Sequence, residues 1–157
     1  LITAIISSVV ISYFDESINK IVALAVLMPI VASMGGNTGT QALTVTVRRL
    51  AIGEINFAHA KATLLKELSI AAVNGAIFAT LMGVIAHFWF NINNLGLVIA
   101  MSMMINLSLA GLFGALIPMG LKRLNIDPAV GSSVLLTTVT DVVGFFSFLG
   151  LATWILL

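Results

Sequence analysis

A single carboxylate lies deep in the last apolar stretch of the chain. Asp141 stands in Thr137-Thr138-Val139-Thr140-Asp141-Val142-Val143-Gly144, flanked by apolar residues on both sides. A charged side chain at the centre of a bilayer costs about 2.5–3.5 kcal/mol on insertion scales, so its default meaning there is an ion path. The competing role is structural, an acid that hydrogen-bonds two helices together through Thr or Asn. No Lys or Arg lies within the apolar stretches to pair with it. Thr137, Asp141 and Gly144 are spaced i, i+4, i+7 and share one helix face. A second polar cluster is Met34-Gly35-Gly36-Asn37-Thr38-Gly39-Thr40-Gln41. Irregular backbone at membrane depth survives only where protein buries it or where it lines a watery cavity, and there it offers carbonyls and amides to ions. A kink with polar residues tying neighbouring helices is the alternative. Asn37, Gln41 and Thr44 follow on one face.

Other chemistries find no support. The sequence has no HExxH, no Cys/His cluster and no GxSxG elbow. The glycine cluster lacks the lysine of a phosphate loop. His59 reads as a solvated connector residue and His87 as an interfacial one, since neither has a second metal ligand at helical spacing. The chain is expected not to be an enzyme, and nothing in it points to nucleic acid.

The elements that must position Asp141 and Asn37 follow from composition. Hydrophobic residues make up 60% of the chain and charged residues 8%, against about 25% charged in soluble domains. Lipid must be the solvent. The apolar runs are long and continuous, which favours helices over barrel strands. A span needs roughly 20 apolar residues, and five segments compete: 1–14, which is short, 21–47, 68–90, 95–121 and 130–157. Pro29 and the glycines predict a break in the second. Residues 48–67 read as an amphipathic connector. The 157 residues leave room for one transmembrane domain. Leu1 opens inside an apolar run without a starting Met, as expected of a piece of a longer protein. There is no cysteine, hence no disulfide.

Charge sets the orientation. Arg48, Arg49, Lys61, Lys66, Lys122 and Arg123 fall on one side, and Lys20 alone on the other. The positive-inside rule puts the 48–67 connector and the 122–129 turn in the cytoplasm, with Trp89 and Trp154 in an outer aromatic belt. The small residues Ala110, Gly111, Gly114 and Ala115 predict close helix packing.

The stretch from Met28 to Gln41, then Leu43-Thr44-Val45-Thr46-Val47-Arg48 and Gly53-Glu54-Ile55, resembles the signature of the MgtE family of magnesium channels, to which animal solute-carrier magnesium transporters are related. Asp127-Pro128-Ala129 and the run Leu136 to Phe146 are similar to that family's last helix. The resemblance implies an all-α membrane protein with five transmembrane helices per subunit, the second broken. It implies a homodimer with one pore on the two-fold axis, in a bacterial-type inner membrane. Asp141 would be the main Mg²⁺-binding residue, with Asn37 a second contributor and backbone carbonyls near Ile126 and Gly144 completing the shell. Gly36, Gln41, Thr44, Thr137 and Thr140 would line the pore. The family carries a cytoplasmic N-domain, CBS domains and a plug helix that gate the pore; no such domain is recognisable in these residues.

Physical chemistry is compatible with that implication. Mg²⁺ binds oxygen at about 2.0–2.1 Å and dehydrates reluctantly, so a wide ring would hold it through its waters, with side chains about 4–5 Å away. Two charges crossing 100 mV gain about 4.6 kcal/mol, enough to drive entry. The expected function is inward passage of hydrated Mg²⁺ driven by membrane potential; the alternative is a proton- or sodium-coupled carrier of divalent cations.

Overall fold

The computed structural model describes residues 1–55 and 60–157. All its regular structure among these residues is helical. In chain order the helices are α1 (Ile2–Tyr13), α2 (Asp15–Lys20), α3 (Ala23–Ala51), α4 (Ala60–Phe90), α5 (Leu95–Arg123) and α6 (Pro128–Leu156). Three of them, α4, α5 and α6, are long and apolar enough to cross a membrane. Helix α3 has the length, 29 residues or about 43 Å at 1.5 Å per residue, but its Gly-Asn-Thr-Gln middle dilutes its apolar character. Helix α1, at 12 residues, reaches only about 18 Å, short of a hydrocarbon core of about 30 Å.

Helix ends sit at polar, turn-forming residues. Asp127 caps α6 by accepting the Ala129 amide at 2.9 Å, with Pro128 as the first helical residue, where a missing N–H costs nothing. The α4–α5 turn uses Asn91 and Asn94 at φ 49° and 63°, the left-handed region Asn tolerates. Gly53 at φ 73° follows α3.

Helix α5 is the centre, packed by α3, α4 and α6, and α1 lies against α6. Small residues permit this. A methyl group on Gly83 would come within 2.9 Å of the Gly96 carbonyl, and one on Gly114 within 2.6 Å of the Gly39 carbonyl. The main apolar core is built from Leu24, Leu27 and Val31 of α3, Val98, Ile99 and Met103 of α5, and Phe148 and Leu149 of α6. It occupies the half of the bundle away from the basic ends. Ser17 of α2 ties this end to α6 through a 2.7 Å hydrogen bond with Thr153.

Two expectations are corrected. The second apolar segment is unbroken: α3 runs continuously through Pro29, Gly35, Gly36 and Gly39. Unpaired backbone is too costly in hydrocarbon to be spent on a break without need, and Gly35 and Gly39 are buried against α5 and α6, so they serve as contact points. The connector is also shorter than residues 48–67. Arg48 and Arg49 close α3 and Lys61 to Glu67 open α4. His59 lies outside the described residues.

Candidate functional site

Helices α3 and α6 carry the polar residues and pack against each other. Val31 of α3 meets Gly144 of α6, and Gly39 meets Leu136. The pair is therefore antiparallel, with Asn37 near the level of Thr138. Three residues of rise separate that level from Asp141, about 4.5 Å along the axis. Both lie midway along their helices.

The polar strip on α3 faces outward. Asn37, Thr40, Gln41 and Thr44 are exposed and, with Gly36 and Val45, line an open groove of about 470 Å³. Thr44 Oγ1 donates to the Thr40 carbonyl at 2.8 Å, which leaves its lone pairs outward. On α6, Thr137 is exposed and donates to the Ser133 carbonyl at 2.8 Å. Asp141 is half-buried. Among the described residues the hydrogen-bonded carboxylates are Asp15, Glu16 and Asp127, and the ion pairs are Lys20–Glu16 and Arg49–Glu54. Asp141 has no partner of either kind.

The remaining site expectations fare differently. Thr140 is buried, 1% exposed, and donates to the Thr137 carbonyl at 3.1 Å, so it packs inside the subunit and does not line the groove. Gly144 is buried under Asn106, and its carbonyl accepts from Ser147 Oγ at 3.2 Å; it is a packing position. Ile126 is exposed in the α5–α6 turn beside Asn125 and Asp127. The rise from Pro128 to Asp141 is about 20 Å, far beyond a shell of about 4–5 Å around a hydrated ion. Ile126 therefore lies at the basic end of the helices, well apart from Asp141.

One residue escapes sequence reasoning. Asn106 of α5 is fully buried, and its Nδ2 donates to the Val31 carbonyl at 2.9 Å. Its amide lies against both Gly35 and Gly144; a methyl on Gly144 would sit 2.7 Å from Nδ2. Oδ1 is left unpaired. Asn106 is thus the polar pin that holds the glycine cluster of α3 against the Asp141 helix. A lone Asn in the apolar run 95–121 was the available signal. Among the described residues no three His, Cys, Asp or Glu converge as a metal cluster.

Residues 28–151 match the MgtE family, described as divalent cation transporter. The chain belongs to the MgtE family. Its relatives include proteins named magnesium transporter MgtE from Bacillus subtilis, 35% identical across 98% of this chain, and from Enterococcus faecalis, 32% identical across 91%. The namesake from Thermus thermophilus is 30% identical across 99%. These MgtE relatives are transporters and not enzymes. The chain spans about a third of their length, 34%, 32% and 34% of the three.

Proposed function

We propose that this chain is the membrane part of a Mg²⁺ transporter, in which two copies face each other across a two-fold axis and hydrated Mg²⁺ passes inward between them. The observation that carries the proposal is the polar strip Asn37, Thr40, Gln41 and Thr44, exposed at membrane depth near the level of a carboxylate that has no partner among the described residues. Lipid is a poor cover for that strip, and water is a good one. A second copy related by symmetry supplies the missing wall and a second Asp141. Two facing carboxylates repel each other when the passage is empty, and a divalent cation relieves the repulsion. The ion keeps its waters because Mg²⁺ sheds them reluctantly. Asn37 adds an amide oxygen about one turn away, and Gln41, Thr44 and Thr137 continue the polar wall toward the basic end. That end is cytoplasmic by the distribution of Lys and Arg, and the membrane potential drives the ion toward it.

Asp141→Ala, assayed as Mg²⁺ uptake into liposomes, is expected to lose transport at least a hundredfold while elution as a folded dimer is unchanged. Uptake at the normal rate would overturn the reading. Asp141→Asn separates charge from hydrogen bonding, and flux is expected to fall nearly as far. An unpaired carboxylate also suits a proton- or sodium-coupled carrier. The two mechanisms part when voltage is clamped and a sodium or pH gradient is imposed: flux through the proposed passage stays constant, and coupled flux follows the gradient.

A further inference from the structure

A second polar cavity, of about 530 Å³, opens between α3, α4 and α5 near the basic end. It is separate from the groove on the outer face of α3, but Gln41 borders both. Glu67 lines the cavity and is only 8% exposed. Among the described residues its carboxylate takes part in no hydrogen bond and no ion pair. A carboxylate that lines a cavity from so buried a residue, with no partner among the described residues, is satisfied by water, a proton or a cation held there.

The surrounding donors distinguish the ligand. Thr38, Gln41 and Asn74 add a hydroxyl and two side-chain amides to the Glu67 carboxylate. All can offer oxygen, the ligand of hard cations, and among the described residues no histidine or cysteine lines the cavity. The volume exceeds what six waters around one ion require, about 180 Å³ at about 30 Å³ each. It suits a hydrated divalent ion better than a stripped monovalent one. Two cationic side chains border the cavity. Arg49 is engaged by Glu54 at 3.5 Å, and Lys66 is exposed at the rim. Their positive charge weakens the site, as a station that must release its ion requires.

We propose that this cavity is a second cation station, where Glu67 holds a hydrated Mg²⁺ through its waters on the cytoplasmic side of the passage. The choice of ion rests on the transport reading above; the site itself is separate from Asp141. The test titrates the purified full chain in detergent with Mn²⁺, read by electron paramagnetic resonance, in an Asp141→Asn background. The expected result is one Mn²⁺ per chain, displaced by Mg²⁺ and weakened at least tenfold by adding Glu67→Gln. Lys66→Gln is expected to tighten it severalfold. Should Glu67→Gln fail to elute as folded protein, Asn74→Leu with Thr38→Val carries the same test, with a smaller weakening. Equal Mn²⁺ binding with and without the Glu67 change, in folded protein, would overturn the station and leave the Asp141 passage standing. If Asp141→Asn transports like the unmodified chain while Glu67→Gln still removes the ion, the passage falls and the station stands.

Discussion

Helices α3 and α4 both present an open side to the surroundings, and the two sides are opposites. On α4 the outward residues include the exposed apolar side chains Val73, Ile77, Leu81, Val84 and Phe88, and the exposed Thr80 among them donates to the Ala76 carbonyl. On α3 they are Asn37, Thr40, Gln41 and Thr44. Moving one unpaired amide into hydrocarbon costs about 2–7 kcal/mol, so only the α4 side matches lipid. The lesson is that the exposure of a single chain hides two kinds of surface, one finished and one waiting for water and a partner. Asp141 lies near the level of the polar strip, on the helix that packs against α3, although the groove itself is lined by α3 alone.

The contrast breaks most readily when a charge is placed on each side in turn. Ile77→Asp puts a carboxylate into lipid and is expected to cost about 3 kcal/mol of insertion and folding, seen as loss of monodisperse protein from membranes. Asn37→Asp is expected to leave yield and elution unchanged. Equal losses would mean that α3 also faces lipid. A smaller effect probes the packing that holds the two sides in place. Gly96→Ala pushes a methyl into the Gly83 backbone across the α4–α5 seam and is expected to cost about 1–3 kcal/mol, read as a fall in Tm. Gly36→Ala, where a methyl meets open space, should leave Tm within the range of a surface change. The smallest concerns the pin between α3 and α6. Asn106→Ala removes the bond to the Val31 carbonyl and is expected to cost about 1 kcal/mol, with Mg²⁺ flux reduced although Asp141 is intact. Unchanged flux would show that the register of α3 on α6 does not depend on Asn106.

Much of this arrangement was legible from residue types. The spans 68–90 and 95–121 fall within α4 and α5, and 130–157 matches α6 to within two residues at its start and one at its end, because length and apolarity determine what fits a bilayer. The helix start at Asp127-Pro128 was not read, since the last span was begun at 130, although the cap and the proline there each favour a helix start. The continuity of α3 was not legible. Gly35, Gly36 and Gly39 read as a break because propensity acts locally, whereas their helical state depends on α5 and α6 pressing against them. Glu67 read as the end of an amphipathic connector for a related reason: burial of a charged residue near a helix start is decided by neighbours far away in sequence. The role of Asn106 needed the two glycines it touches, 71 and 38 residues away in the chain. The separation of Ile126 from Asp141 needed a helix of known extent between them.

The absence of cysteine from the chain makes the central claim directly measurable. Asn37→Cys and Ile77→Cys, made singly and held in liposomes, would be treated with a membrane-impermeant cationic thiol reagent. The account predicts fast modification at position 37, slowed by Mg²⁺, and none at position 77. A thiol at position 37 that stays as unreactive as one at position 77 would contradict it, because the polar side of α3 would then have no water beside it.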